Sequence, residues 1–476
     1  MSKSNLDIPA TSKVDKLFHL TEKGTDVKTE VIAGVTTFMT MAYILAVNPS
    51  ILAASGMDSG AVFTATCIAS LIATVLMAVF ANYPFVLAPG MGLNAYFAYT
   101  VVLGMGYSWE TALTAIFLEG IIFILLSLTN VREAIFNAIP TCLKHAVSAG
   151  IGLFIAFIGL HNCKLVVDSA TLVSVFSFKQ SFAGFTDGAF AGGGFRDIGI
   201  TVLLAIIGVL ITGILVVKKV KGNILWGILA TWVLGILCEV TGLYVPNAAV
   251  GMYSVLPNFS NGLAVPSMMP TFLKMDFSNI FSLEFFAVVF AFLFVDMFDT
   301  LGTLIGVSSK ANMLDKDGKL PKIRGALLAD AVGTTVGACC GTSTVTTFVE
   351  SASGVSEGGR SGLTSLVSAA LFGIALFLSP IFLAIPSFAT APALIVVGFL
   401  MVSSILKIDF DNAYDAIPAF ICIIAMPFMY SISEGIAMGV ISYVVINLVG
   451  GKERRKTISV VMFILALLFI LKYIFI

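Results

Sequence analysis

The segment Gly341-Thr-Ser-Thr-Val-Thr-Thr-Phe-Val-Glu350 interrupts one of the apolar runs that fill most of this chain. Its glycine and its β-branched Thr and Val residues disfavour a continuous helix. An earlier run is interrupted in the same way by Pro84-Phe-Val-Leu-Ala-Pro-Gly-Met-Gly-Leu-Asn94. Backbone groups released from a helix inside a membrane need a cavity or a ligand, so both segments predict a binding site near the midplane. Two kinked helices packed against their neighbours are the alternative.

Apolar runs long enough to cross a bilayer recur along the whole chain. Of the 476 residues, 58% are hydrophobic and 11% are charged, against roughly 25% charged in soluble domains. About 20 apolar residues cross the hydrocarbon core as a helix, and polarity does not alternate as it does in transmembrane strands. We therefore predict an all-α polytopic membrane protein. Its fourteen candidate spans, numbered 1 to 14, cover residues 31–53, 61–80, 85–103, 111–128, 143–160, 198–217, 223–242, 284–307, 324–340, 343–357, 361–380, 391–406, 414–430 and 433–450.

The distribution of basic residues predicts the orientation, although the net charge of −1 does not. With a cytoplasmic N-terminus, 21 of the 26 Lys and Arg residues fall on the inner side and 5 on the outer side. This split follows the positive-inside rule and requires an even number of spans before Gly451.

The chain divides into two halves of seven spans. Residues 1–30 form a polar cytoplasmic tail, 31–242 hold spans 1 to 7, and 284–450 hold spans 8 to 14. Because each half has an odd number of spans, the halves have opposite orientations, as in inverted-repeat transporters. The outer stretches at about 161–197 and 243–283 are expected to be loops without a core of their own. A basic loop and an extra apolar helix are expected in 451–476.

Five acidic residues lie well inside the predicted spans: Glu119, Asp296, Asp299, Asp330 and Glu350. A charged residue at mid-helix costs about 2.5–3.5 kcal/mol on insertion scales, so each needs a reason to be there. Hydrogen bonding between helices is one reason, and we expect this structural role for Glu119 and Asp330. Binding or proton transfer is the other, and we expect it for the remaining three.

Asp296 and Asp299 are three residues apart, so they share one face of span 8, where Thr300 extends the polar stripe. Two carboxylates away from water repel one another, which favours the binding of a proton by one of them. A proton-coupled carrier uses this property to load a proton on one side and release it on the other. Asp299, Asp296 and Glu350 are therefore the candidate proton-coupling residues.

Glu350 and Asn94 lie in the two interrupted spans, and their chemistry suits the edge of a flat heterocycle. A carboxylate accepts from N–H donors, and an Asn side chain both donates and accepts. Phe348 offers a ring for stacking, although a core or lipid-facing position is the usual one for a Phe among 39. Asp296, Glu350, Asn94 and Phe348 are thus the candidate binding residues, and the supporting positions beside them are Gly92, Thr300 and Thr347.

Other classes of function find no support in the residues. All three His residues lie at or beyond span ends, and neither a Ser-His-acid pattern nor a Walker loop is present. The seven Cys residues lie within or beside spans and form neither a disulfide framework nor a zinc motif. An intramembrane enzyme would need a nucleophile with a base, or metal ligands, and we expect no enzyme, cofactor, resident metal or nucleic-acid partner. A channel is a weaker alternative, which saturation of uptake would distinguish.

The sequence resembles the nucleobase:cation symporter-2 family, specifically its AzgA-like branch of adenine, guanine and hypoxanthine permeases. The resemblance covers nearly the whole chain. Its densest motifs are Ala33-Gly-Val-Thr-Thr-Phe-Met-Thr-Met-Ala-Tyr-Ile44, Gly90-Met-Gly-Leu-Asn-Ala-Tyr-Phe97, Asp296-Met-Phe-Asp-Thr-Leu-Gly302 and the segment from Gly341 to Gly354.

The resemblance implies a fourteen-span transporter of the cell membrane in which spans 1–4 and 8–11 form a core domain and the others a gate domain. Spans 3 and 10 would each contribute a short strand. The acids matching Asp296 and Glu350 would hold a purine base, with Asn94 and Asp299 also implicated. It implies symport with H⁺, although the residues do not distinguish H⁺ from Na⁺, and a homodimer is left open. The alternatives are a uracil or xanthine carrier, which usually has Glu in place of Asp296, and an anion carrier of the sulfate-permease type.

Overall fold

The computed structural model describes residues 13–128, 139–169, 172–186, 190–259, 262–278, 280–310, 313 and 320–475. Helices dominate these residues, and nine of the described helices are long and apolar enough to cross a membrane on their own. The observed elements fall at the predicted spans, with ends that differ by about four residues or fewer.

The first half runs from span 1 to span 7. Its elements are Val27–Met41 and Ile44–Ala53 (span 1), Ser59–Phe80 (span 2), strand β1 at Leu87–Pro89 with Met91–Ala95 and the π-helix Tyr96–Gly104 (span 3), Trp109–Ser127 (span 4), Thr141–Asn162 (span 5), the π-helix Phe195–Gly199 with Ile200–Val217 (span 6) and Asn223–Val240 (span 7). A short helix, Lys13–Phe18, precedes span 1.

The second half repeats this order, including the interrupted third element. Its elements are Leu283–Lys310 (span 8), Ile323–Cys340 (span 9), a strand at Val345–Thr347 with Ser351–Ser356 (span 10), Gly362–Ala375 with Leu376–Leu378 and Ser379–Phe382 (span 11), Ser387–Val402 with Ser403–Lys407 (span 12), Ala413–Phe428 (span 13) and Ile432–Val449 (span 14). The short helix Lys452–Arg455 and the longer helix Val460–Phe475 follow.

Polar residues just before the spans fix where several helices begin. Asp58, Ser108, Ser361 and Ser431 cap spans 2, 4, 11 and 14 by accepting a hydrogen bond from a backbone N–H two or three residues later. Each cap satisfies one of the N–H groups that a helix start leaves without an intrahelical partner.

The spans pack as two groups. Span 11 packs against spans 1 and 2, span 9 against spans 2 and 4, and span 8 against span 4, which forms the core domain. Span 5 packs against spans 12 and 13, span 6 against spans 7 and 12, and span 13 against span 14, which forms the gate domain. Spans 5 and 12 cross very closely, since a Cβ on Gly398 would lie 2.4 Å from the carbonyl oxygen of Gly152.

The outer stretch at 161–197 differs from the expectation of a loop without a core. Strands β2 (Val166–Ser169) and β3 (Leu172–Val175) form an antiparallel hairpin, and a short helix follows at Phe178–Ala183. Phe176 is buried there against Ile198, and further aromatic side chains pack around it. The sequence-based expectation was wrong because these aromatic residues bury enough apolar surface to form a small satellite core.

The C-terminal residues form the expected extra helix. Val460–Phe475 packs along span 14, and the Phe469 ring lies 5.7 Å from the ring of Phe290 in span 8. Tyr473 donates a hydrogen bond to Glu434 at the start of span 14. The helix therefore contacts both the gate domain and the core domain.

Candidate binding site

Strand β1 pairs with the strand Val345–Thr347, here called β4, at the centre of the core domain. The pairing is antiparallel and sets Leu87 opposite Thr347 and Pro89 opposite Val345. Two further backbone hydrogen bonds extend it, from Gly90 N to Thr344 O at 3.0 Å and from Phe348 N to Val86 O at 3.0 Å. The backbone groups released from spans 3 and 10 are thus satisfied by each other. The interruptions are extended strands rather than kinks in continuous helices.

Glu350 lies three residues after β4, at the start of the short helix Ser351–Ser356. Its Oε1 accepts a hydrogen bond of 2.7 Å from the hydroxyl of Tyr43 in span 1. The Glu350 side chain is partly accessible, and its neighbour Val349 is 58% exposed. The carboxylate is therefore held from the side of span 1.

Asp299 lies near the same crossing. Its Oδ2 is 3.5 Å from the position that a Cβ on Gly90 would take, which places the carboxylate beside the end of β1. The carboxylates of Glu350 and Asp330 are near enough to interact with it electrostatically. Asp299 is partly accessible like Glu350, so these two acids form the accessible pair in this conformation.

Asp296 is wholly buried and belongs to a hydrogen-bonded network inside the core domain. The hydroxyl of Thr300 lies 3.0 Å from Asp296 Oδ1, 2.9 Å from Asp330 Oδ1 and 2.6 Å from the hydroxyl of Thr346 on β4. This network connects spans 8 and 9 to the strand crossing. A direct contact between Asp296 and a ligand requires this region to open.

The other predicted residues take different positions around the crossing. Asn94 is wholly buried, its Oδ1 accepts a hydrogen bond from Ser343, and its Nδ2 lies 3.5 Å from Pro89 O. Phe348 is 5% exposed and packs in the hydrophobic core. Thr347 is buried, and its hydroxyl has no hydrogen-bond partner among the residues that the structure describes.

Gly92 marks where the core domain meets the gate domain at the site. A Cβ at this position would lie 2.9 Å from Cγ2 of Ile151 in span 5. A larger residue would push the half-helix of span 3 away from span 5. Gly92 thus supports the close contact between the two domains.

Sequence reasoning missed three polar partners of the site. Tyr43, Ser343 and Thr344 donate hydrogen bonds to Glu350, Asn94 and Glu119, the last at 2.7 Å. Ser343 and Thr344 lie in the interrupted segment and could have been singled out from their polarity. Tyr43 carries no such signal, because it lies in an apolar run and resembles any core aromatic residue.

Two cavities of the described residues lie away from these carboxylates. One of about 670 Å³ is lined by the outer hairpin and includes His161, Lys164 and Phe190. Another of about 460 Å³ lies between the second outer stretch and span 11, near Pro266 and Ser379. Neither includes a carboxylate from the spans, so the candidate site rests on the side chains at the strand crossing.

Comparison with known proteins connects this arrangement to transporters. A family model described as "Permease family" matches residues 28–438. The chain is 44% identical to the guanine/hypoxanthine permease PbuG of Bacillus subtilis, over 96% of this chain and 99% of that one. It is 43% identical to PbuO, a second guanine/hypoxanthine permease of Bacillus subtilis, over 96% and 99%. It is 40% identical to the adenine permease AdeP of Escherichia coli, over 97% and 96%.

Solved structures share the fold at low sequence identity. The transmembrane domain of the cyanobacterial bicarbonate transporter BicA superposes with a TM-score of 0.59 at 15% identity, over 87% of this chain and 97% of that one. Murine Slc26a9, an anion transporter in its inward-facing state, superposes with a TM-score of 0.61 at 11% identity, over 94% and 74%. These likenesses establish the architecture of two inverted seven-span repeats.

Proposed function

Since the chain belongs to the nucleobase:cation symporter-2 family, we propose that it carries a purine base (adenine, guanine or hypoxanthine) into the cytoplasm by symport with a proton. It is a multi-pass membrane transporter and not an enzyme.

One observation carries the proposal: Glu350 and Asp299, both partly exposed residues, lie near each other at the strand crossing. A purine base offers ring and exocyclic N–H donors, which a carboxylate accepts well in a site with little water. Two acids in one site disfavour an anion. This chemistry supports a neutral base with N–H donors, in agreement with the names of the relatives.

The same pair of acids supports coupling to a cation. Like charges in a low-dielectric site are most stable when a proton or another cation accompanies them. We infer that the coupling proton binds among Asp299, Glu350 and Asp296, the last through the Thr300 network. A purine that binds to the protonated site would then cross the membrane together with the proton.

The packing of the spans supports transport by alternating access. The site residues lie on core-domain spans, whereas span 5 of the gate domain faces them at Gly92. A movement of the core against the gate would expose the site to one side of the membrane at a time. Under a proton gradient directed into the cell, symport through this movement would serve uptake.

Competition uptake in cells that lack their own purine carriers tests the proposal. We expect adenine, guanine or hypoxanthine to outcompete uracil and cytosine, and a protonophore to stop accumulation. Glu350→Ala should abolish uptake at normal abundance in the membrane, as should Asp296→Asn. Glu22→Gln is the matched control, because the Glu22 side chain is 79% exposed far from the site. Accumulation of hypoxanthine by Glu350→Ala would refute the site, and sodium-dependent accumulation that survives a protonophore would refute proton coupling.

A further inference from the structure

Tyr99 joins span 3 of the core domain to span 5 of the gate domain. It lies in the π-helix Tyr96–Gly104, which is the outer part of span 3 when the N-terminus is cytoplasmic as predicted. Its side chain is 8% exposed. Its hydroxyl accepts a hydrogen bond of 3.0 Å from Nδ2 of Asn162, the last residue of span 5, and donates to Oδ1 of the same residue at 3.3 Å.

Tyr430, between spans 13 and 14, adds a second contact between the same two domains. The hydroxyl of Thr100, next to Tyr99, donates to Tyr430 O at 3.4 Å. The Tyr430 ring lies 6.1 Å from the ring of Tyr99 and 5.3 Å from that of Phe154 in span 5, and both pairs meet edge to face. The Tyr430 ring thus packs between span 3 and span 5.

The outer cavity of about 670 Å³ adjoins this cluster. Asn162 lines the cavity together with Asp168, whose side chain is 90% exposed, so solvent enters the cavity from outside. Asp168 also interacts electrostatically with Tyr430. Asn94 of the candidate site is wholly buried and precedes Tyr99 in span 3. The contact between Tyr99 and Asn162 therefore lies between the solvent-filled cavity and the strand crossing.

We propose that Tyr99, Asn162 and Tyr430 form an outer gate, closed in this structure, that separates the candidate site from the outer cavity. The inference rests on the proposed function, because a gate is needed only if the site opens to each side of the membrane in turn. Opening separates span 3 from span 5 and breaks both contacts of the Tyr99 hydroxyl. Water from the cavity then satisfies the released amide of Asn162.

The Tyr99→Phe variant should favour the open state. It removes the hydroxyl and keeps the ring that packs against Tyr430. The closed state then loses hydrogen bonds that the open state does not have, so the equilibrium shifts toward the open state. A loss equal to the net contribution of about one hydrogen bond predicts that the ratio of open to closed molecules rises roughly five- to tenfold.

Ile151 is the position from which opening can be measured. It faces Gly92 where the two domains meet, and its side chain is 4% exposed. At a rise of 1.5 Å per residue, Ile151 lies about 16 Å further into span 5 than Asn162. A cysteine at this position should therefore react with an external reagent only when the outer gate is open.

The experiment measures, in intact cells, the rate at which a membrane-impermeant thiol reagent labels the Ile151→Cys chain. We expect this rate to rise roughly five- to tenfold when Tyr99→Phe is added, and an unchanged rate would overturn the proposal. The chain without the introduced cysteine gives the labelling of the native cysteines. Tyr253→Phe is the matched control, because Tyr253 is 69% exposed on the second outer stretch, and it should leave the rate unchanged.

Asn162→Ala distinguishes a gate from a general loosening of the helices, and it replaces Tyr99→Phe if that variant does not reach the membrane. Both substitutions break the same contact, so the double variant should be labelled no faster than the faster single variant. Two effects that multiply in the double variant would show that the residues act independently and would refute the gate. Labelling needs no substrate, so failure of the gate and failure of purine uptake are separate results.

Discussion

Glu30 is the acid whose removal should most weaken the core domain. It lies in the first turn of span 1 and is wholly buried against the start of span 11. Its Oε1 accepts from Arg360 N at 2.8 Å, and its Oε2 accepts from Ser361 N at 3.2 Å and from Thr364 N at 3.1 Å. The Thr364 hydroxyl adds a fourth bond, at 2.6 Å. The Glu30 carboxylate in span 1 thus caps the start of span 11, although Ser361, the residue that precedes this helix, is 331 residues later in the chain.

The Glu30→Ala variant removes four hydrogen bonds where water has little access. Arg360 N and Ser361 N lose the acceptor named above, and Thr364 keeps only longer contacts at 3.3 Å, from its N–H to Ser361 O and from its hydroxyl to the backbone oxygen of residue 30. A net loss of about 1 kcal/mol for each bond predicts that the free energy of unfolding falls by roughly 3–5 kcal/mol. Glu30→Gln keeps one oxygen in place and should cost about half as much. Either loss is a large part of the roughly 5–15 kcal/mol that stabilises an ordinary domain.

Thermal unfolding of the detergent-solubilised protein measures this effect. We expect the midpoint to fall in the order wild type, Glu30→Gln, Glu30→Ala. Glu22→Ala is the control, because that side chain is 79% exposed and its ion pair with His19, at 3.3 Å, lies at the surface. A Glu30→Ala midpoint equal to that of Glu22→Ala would refute the role of the capping network.

Three further predictions concern other parts of the chain. Burial lowers the pKa of Lys23 in the folded protein to about 8. Above that pH the unfolded chain binds more protons than the folded one, so the free energy of unfolding should rise from pH 8 toward pH 10. A Lys23→Met variant whose melting temperature rises equally steeply over this range would contradict the prediction. Gly398→Ala should lower the free energy of unfolding by about 1–3 kcal/mol, because the added methyl group would clash at the crossing of spans 5 and 12. Gly213→Ala is the control, since the space around Gly213 is open. Equal melting temperatures of the two variants would refute the close approach. Thr344→Val should lower stability by about 1–3 kcal/mol because Glu119 loses a hydrogen bond, and a change in base selectivity instead would argue against a structural role for Glu119.

The sequence predicted the spans well because a single physical requirement determines them. A helix needs about 20 apolar residues to cross the hydrocarbon core, so the apolar runs give both number and position. The extra helix at Val460–Phe475 follows from the same requirement. The small core around Phe176 was missed because the Gly-rich segment 190–195 suggested a loop. The sequence does contain Phe176, Phe185 and Phe190, which pack in this core.

The polar contacts of the site were predicted only in part. Glu350, Asp299 and Asn94 stood out because charged and amide side chains are costly inside spans. Their partners did not, because Tyr43 and Glu350 are 307 residues apart and no local pattern connects them. Glu30 was missed for a related reason, since it precedes the first residue of predicted span 1 and looked like part of the polar tail. Pairings over such distances depend on the packing of whole helices.

The distribution of hydrogen bonds explains how the site could move as one body. Glu350 is bonded to Tyr43, and Asp296 is linked through Thr300, so these acids are held by other residues of the core domain. Toward the gate domain, Gly92 faces Ile151 through an apolar contact, which has no preferred direction and survives a sliding movement. The hydrogen bonds that do cross from span 3 to the gate domain, from Asn162 to the Tyr99 hydroxyl at 3.0 Å and from Thr100 to Tyr430 O at 3.4 Å, would have to break in every cycle, at about 1 kcal/mol or more each. A polar pair introduced between Gly92 and Ile151 should therefore slow transport while leaving base binding measurable, and unchanged transport would argue against movement along this surface.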